Sequence, residues 1–182
     1  VCTNRSALVS QTITVQDTTP PVLVGVPTNV MVAIDAVPVA PTVTATDACD
    51  AAPVVTLVQF TTQDPNPALA GHYHYTITRT WTATDACGLQ SSASQVITVQ
   101  DVTAPVIGAA GADATLECPA VPVFTAPTAT DNSGVVTVVE VSDVTTPGLC
   151  AGGYARTKTW QAVDVCTNRS ALVSQTITVQ DT

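Results

Sequence analysis

The sequence predicts an all-β chain, folded as two tandem β-sandwich domains in an extended beads-on-a-string array. Three observations carry that expectation. The apolar residues are mainly Val and Ala, with abundant Thr, and Val and Thr favour a pleated, half-buried surface over a helix. Thirteen prolines and nine glycines punctuate the 182 residues, and no helical apolar period survives between them. Finally, the chain repeats itself at two scales.

The larger repeat is letter for letter. Residues 1–18, VCTNRSALVSQTITVQDT, recur at 165–182, an offset of 166 − 2 = 164 residues from Cys2 to Cys166. The smaller repeat has diverged. QTITVQDTTPPV at 11–22 matches QVITVQDVTAPV at 95–106, and TVTATDACD at 42–50 matches PTATDNSG at 127–134. TRTWTATDACG at 78–88 matches TKTWQAVDVCT at 157–167. Asp17 and Asp101 are 101 − 17 = 84 residues apart, and Asp101 and Asp181 are 181 − 101 = 80 apart. Repeats of that length suit separate domains better than solenoid turns. Residues 1–18 therefore read as the last strand of a preceding copy, with domains at 19–100 and 101–182. The Asp-Thr-Thr-Pro-Pro and Asp-Val-Thr-Ala-Pro segments read as linkers stiffened by proline.

Strands are expected at 22–25, 30–33, 40–46, 54–61, 73–85 and 92–100, an immunoglobulin-like series. Ile97 and Val99 alternate with Thr98 and Gln100, marking one buried face. Trp81 and Trp160 hold equivalent places and read as core anchors. Arg79 and Lys158 share the parity of those tryptophans. Either these cations snorkel from the rim, or the faces are reversed. On its own, 1–18 would leave an unpaired backbone and an exposed apolar face. It should be completed by another chain, replace the equivalent C-terminal strand, or be disordered.

Charge narrows the partners. Five basic residues face fourteen acidic ones, a net charge of −9. No basic patch exists to displace phosphate counterions, so nucleic acid is excluded as a partner and a cation is favoured. No apolar run approaches the ~18 residues of a membrane span. The chain does not begin with Met and reads as an internal segment, so the lack of a signal peptide carries no weight. Six cysteines without zinc-type spacing or a CxxC pair point to disulfides and an oxidising compartment.

TRTWTATDACG, followed by a strand ending TVQDTTPPV, resembles the HYR-like immunoglobulin-fold repeats of large secreted adhesins. Such repeats abound in surface proteins of Bacteroidota, including gliding-motility adhesins exported by the type IX route. The resemblance covers both domains. It departs where Asn132 and Ser133 stand in place of Ala48 and Cys49. It implies an extracellular, cell-surface location and a spacer or adhesive role, with further copies of the same repeat, and other chains of a filament, as partners.

Catalysis finds no support. His72 and His74 have no Cys or Glu at ligand spacing and read as strand-edge residues, and no nucleophile-elbow, P-loop or zincin motif occurs. The chain is read as a structural stalk or filament unit and not as an enzyme. The alternatives are a module that binds a glycan or surface polysaccharide, repeated for avidity, and a spacer within a secreted hydrolase. Two Trp, three Tyr and two Phe give little material for a glycan platform. Asp-Thr-Thr at 17–19 resembles the O-glycosylation signal of Bacteroidota, making Thr18 a candidate. Asn4 and Asn168 match the N-glycosylation sequon but read as turn residues.

In an immunoglobulin-like order the second and penultimate strands end at one pole. Cys49 follows the former and Cys87 the latter, which predicts a Cys49–Cys87 disulfide. Cys118 and Cys150 lie just before the corresponding strands of the second domain, which predicts Cys118–Cys150 at the opposite pole. Cys166 and its copy Cys2 are left without partners, as a free buried thiol or an interchain bond. Calcium is expected at each junction. Asp17, Asp47, Asp50 and Asp85 should converge at the first, and Asp101, Asp131 and Asp164 at the second. Ca²⁺ takes six to eight oxygens in irregular geometry. The competing reading is that each Asp caps its own turn.

Overall fold

The computed structural model describes residues 2, 4–149 and 152–181. It is all-β, and the only helical turn among the described residues is a 3-10 turn at Ala70–His72.

Six strands fall in the first half: β1 (Val22–Val24), β2 (Val30–Ala33), β3 (Thr44–Thr46), β4 (Val54–Thr61), β5 (Tyr75–Thr84) and β6 (Gln90–Gln100). Six more fall in the second: β7 (Val106–Ile107), β8 (Ala114–Glu117), β9 (Ala129–Thr130), β10 (Val136–Pro147), β11 (Tyr154–Asp164) and β12 (Val173–Gln180). In the first half β1 pairs with β3, and a four-stranded sheet runs β2-β6-β5-β4. In the second, β7 pairs with β9, and the four-stranded sheet runs β8-β12-β11-β10. The two orders are the same, so the diverged repeat in the sequence is a repeat of one immunoglobulin-like sandwich. In each half the last strand lies parallel to the second, β6 to β2 and β12 to β8, while β12 and β11 are antiparallel.

The strands form where period-two patterning gives one face to bury. On β5 the inward set is Ile77, Arg79, Trp81 and Ala83; on β6 it is Gln95, Ile97 and Val99. On β11 it is Trp160, Ala162 and Asp164, and on β12 Gln175, Ile177 and Val179. Trp81 and Trp160, 2 % and 5 % exposed, are the core anchors. The faces are therefore not reversed, yet Arg79 does not snorkel from a rim. It lies buried on the inward face beside Trp81. Lys158 differs. It stands half-buried over the Phe124 ring, 5.6 Å from the centroid, and pairs with Glu140 at 2.7 Å and Asp143 at 3.4 Å.

By compactness the chain divides into two units. One joins Val1–Pro27, Ala40–Val58 and Arg79–Gln95; the other joins Thr28–Val39, Gln59–Thr78 and Val96–Thr182. Strands β4, β5 and β6 contribute residues to both. The first unit contains the β1–β3 ladder, from Val22↔Thr46 to Val24↔Thr44. The second contains a cluster of Ile77, Ile97 and Val99 flanked by Val32, Ile34, Val37 and Tyr75, together with all of β7 to β12.

Residues 4–18 form no strand. Leu8, Val9, Ile13 and Val15 stand 76 to 103 % exposed.

Candidate cation sites

In the second half three carboxylates end three chain segments. Asp101 follows β6, Asp131 follows β9, and Asp164 closes β11. Each can place one oxygen within 4.8 Å of the others. One reason they face inward is local. Aspartate after a strand caps the following turn with its own side chain. Asp101 Oδ1 accepts from the Thr103 N–H at 3.0 Å, and Asp131 Oδ2 from the Ser133 N–H at 2.8 Å and Oγ–H at 2.6 Å. Asp164 Oδ1 accepts from the Asn168 N–H at 2.8 Å, and its Oδ2 from Asn168 Nδ2 at 2.8 Å.

Capping does not use up the oxygens. Asp101 Oδ2 and Asp131 Oδ1 are buried with no hydrogen-bond partner, and Asp101 is only 1 % exposed. A buried anionic oxygen left unpaired is costly. A hard cation bound between these carboxylates would satisfy both atoms at once.

The linker is braced around this point. His74 Nε2 donates to the Asp101 carbonyl at 2.9 Å, as Asn168 Nδ2 does at 3.2 Å. Tyr73 OH donates to the Ser133 carbonyl at 2.7 Å, fixing the Asp131 turn. His72 Nδ1 donates to the Asp64 carbonyl at 2.7 Å. Both imidazoles thus spend a ring N–H on a backbone oxygen, and His72 is half-buried in the 3-10 turn, not a strand-edge residue.

In the first half Asp17, Asp47 and Cys49 come within 4.8 Å of one another. Asp47 Oδ1 accepts from the Cys49 and Asp50 N–H groups at 2.8 and 3.0 Å, and Asp17 Oδ1 from the Thr19 N–H at 3.0 Å. Asp50 and Asp85 stand outside this group. Asp50 Oδ2 accepts from the Ala86 N–H at 2.9 Å. Asp85 Oδ1 accepts from the Cys87 and Leu89 N–H groups at 2.9 and 2.8 Å, while its buried Oδ2 has no partner. The two halves are therefore unequal: the second has three convergent carboxylates, the first two and a thiol.

Thiols stand beside these carboxylates. Cys166 is buried. Burial first, then the charges of Asp101, Asp164 and Asp131, push its thiol up to about 11. Asp17 is the main cause that raises the exposed Cys49, with smaller contributions from desolvation, Asp47 and Cys87. The signal was legible as Asp-x-Cys, at Asp47–Cys49, Asp85–Cys87 and Asp164–Cys166.

Cys49 and Cys87 are neighbours but both are free thiols here, so the expected bond is not formed. Cys118 follows β8, its thiol 3.6 Å from the Gly152 carbonyl; its expected partner Cys150 lies outside the described residues. Cys2 is an exposed thiol. Thr18 is exposed. The Asn168 amide is engaged with Asp164 and Asp101, which is the turn role expected of it.

No family model matches the chain, and no curated protein does. Solved structures similar to it include cadherin fragments. Drosophila N-cadherin EC1-4 is 12 % identical with a TM-score of 0.38, over 90 % of this chain and 50 % of that one. Mouse clustered PcdhgC3 EC1-3 is 13 % identical with a TM-score of 0.35, over 89 % and 68 %. The chain spans about half the length of several of these fragments. At such scores the chains do not superpose as wholes, and the fold rests on the strand orders above.

Proposed function

We propose that this chain is a structural repeat unit of an extracellular adhesin stalk or cell-surface filament, of the HYR-like kind, with calcium held by Asp101, Asp131 and Asp164. One observation carries the reading: a sandwich of one strand order occurs twice, in a chain whose first and last eighteen residues are identical. Near-perfect copies in series fit a spacer, in which number sets length, better than a site for turnover. The buried, unpartnered oxygens of Asp101 and Asp131 support the cation, which would stiffen the segment that Asp101 begins. The tryptophans support a stalk over a glycan module, because both are core residues and neither offers a stacking face. In an extracellular, oxidising setting Cys49 and Cys87 would join.

Antibody raised against the unit and imaged on intact cells tests this. Label strung along thin surface strands is expected; label confined to secreted, unattached protein overturns it. Calorimetric titration of chelator-stripped protein should show heat at millimolar Ca²⁺, and a flat trace removes the cation from the reading.

A further inference from the structure

The two halves close one kind of turn in two ways. Asp85 follows β5 as Asp164 closes β11, and each donates its N–H at 3.1 Å to the carbonyl four residues on, of Leu89 or Asn168. Oδ1 of each accepts from the N–H of that same residue at 2.8 Å. The second oxygen differs. Asn168 Nδ2 donates to Asp164 Oδ2 at 2.8 Å, whereas Leu89 has no side-chain donor. Asp85 is 6 % exposed, and its Oδ2 is buried with no hydrogen-bond partner. The matched turn aims that oxygen towards Asp17 and Asp47, as Asp164 is aimed at Asp101 and Asp131.

Asp17 and Asp101 both follow Thr-Val-Gln, and Asp47 and Asp131 both end Thr-Ala-Thr-Asp. Two residues beyond that last aspartate, Cys49 stands where the second half has Ser133. Ser133 Oγ turns back onto Asp131 Oδ2 at 2.6 Å. The Cys49 sulfur instead lies within 4.8 Å of carboxylate oxygens of both Asp17 and Asp47. Cys87 is its neighbour, and both thiols are exposed. The first half thus gathers two carboxylates and a sulfur at a point open to solvent, with an orphaned third carboxylate oxygen beside them.

We propose that Asp17, Asp47, Cys49 and Asp85 form a site for a thiophilic divalent cation of the Zn²⁺ class, and that the Cys49–Cys87 disulfide abolishes it. Thiolate ligands select zinc-like ions. Calcium takes six to eight oxygens and gains nothing from a sulfur. Tetrahedral zinc, at ~2.3 Å from sulfur and ~2.0–2.2 Å from oxygen, spaces its ligands roughly 3.3–3.8 Å apart. Small side-chain rotations close the 4.8 Å group to that spacing. The ion also satisfies the Asp85 oxygen that Leu89 leaves bare.

Cation and disulfide compete for one sulfur. With a small-molecule disulfide as oxidant, one thiolate attacks it and releases a thiol, and the other then attacks the mixed disulfide and releases the second. A cation on Cys49 withholds one of the two nucleophiles. The finished bond leaves no thiolate to bind. The all-carboxylate group of the second half has no such dependence.

Co²⁺ reports thiolate ligation by a near-ultraviolet charge-transfer band. The full-length chain, kept reduced by a phosphine, should develop that band with Co²⁺ and lose it on adding Zn²⁺ but not Ca²⁺. Cys49 is exposed, so Cys49→Ser leaves the fold intact and should abolish the band, while Cys166→Ser should keep it. Asp47→Asn retains the Oδ1 cap and should weaken Co²⁺ binding by at least the ~10–100-fold that outer-shell changes cost. Glutathione disulfide should form the Cys49–Cys87 bond about 10-fold or more slowly in Zn²⁺ than in Ca²⁺, by non-reducing peptide mapping. The proposal is overturned if no band forms, if it survives Cys49→Ser, or if Cys166→Ser removes it. An oxidation rate that Zn²⁺ leaves unchanged overturns it equally.

Discussion

Asp101→Asn isolates the cation site, because it removes a charge and keeps the cap. The retained Oδ1 still accepts from the Thr103 N–H, and an amide replaces the unpartnered Oδ2. The three carboxylates can bring oxygens within 4.8 Å. At an effective dielectric near 20, each such pair of charges repels by about 3 kcal/mol. The variant deletes two of the three pairs, and relaxation of solvent and side chains leaves a part of that. In chelator Asp101→Asn should therefore be more stable than the native chain, by about 1–3 kcal/mol. Calcium at 100 times its Kd stabilises the native chain by about 2.7 kcal/mol and the variant by little. The order of stabilities should cross. For a domain of this size ~1 kcal/mol is worth about 4–8 °C, so calorimetric melts in chelator and in about 10 mM Ca²⁺, well above the Kd of extracellular calcium modules, resolve it. If the variant melts lower than the native chain in chelator, the carboxylates are not in repulsion. If both gain equally from calcium, the ion binds elsewhere. Either result refutes the site.

Trp160→Ala should cost about 3–5 kcal/mol, enough to unfold the second half near ambient temperature, as read by denaturant titration. Oxidised protein should yield a Cys49–Cys87 peptide on non-reducing mapping; the loop is 87 − 49 = 38 residues, and closing it should add about 4 kcal/mol on the chain-entropy model. Chiefly the Arg156 guanidinium, then Lys158, holds Asp143 down at about 2. A folded pKa below the unfolded one contributes stability above the ordinary carboxylate range that is lost as pH falls. Asp143→Asn should therefore flatten the acid limb between about pH 4 and about pH 2. Thr167 sits at φ 73°, where the first half has Gly88 at 86°. Relieving a β-branched residue there by Thr167→Gly should stabilise by about 0.5–1 kcal/mol, measurable by thermal melt.

The strands were legible wherever alternation was strong. The expected 30–33 and 54–61 match β2 and β4, and 73–85 and 92–100 match β5 and β6 within about two residues, a usual margin for strand ends. Expected 40–46 shrinks to Thr44–Thr46, because Pro41 has no N–H for a ladder. Arg79 escaped the reading, since parity places it inward while its charge argues outward. Spacing brought out the carboxylate trio of the second half. In the first, Asp50 turns to the Ala86 N–H of a neighbouring loop and Asp85 to the Cys87 and Leu89 N–H groups of its own turn, and the group that converges is Asp17, Asp47 and Cys49. Which oxygen of an aspartate is spent on its own turn is a matter of side-chain rotation that no spacing encodes.

The parallel pairing of β8 with β12 also has a mechanical meaning. These strands run the same way, one early and one late in the half, joined by rungs from Ala114↔Ile177 to Glu117↔Gln180. A pull on the two chain ends drags them past each other in opposite senses, so the rungs bear load together in shear. The short β7–β9 pair, with only two rungs, can peel first and take up slack without releasing that clamp. Antiparallel neighbours pulled from one shared end would unzip rung by rung at far lower force. A chain pulled from its two ends is held best by the former geometry, and β6 on β2 repeats it in the first half.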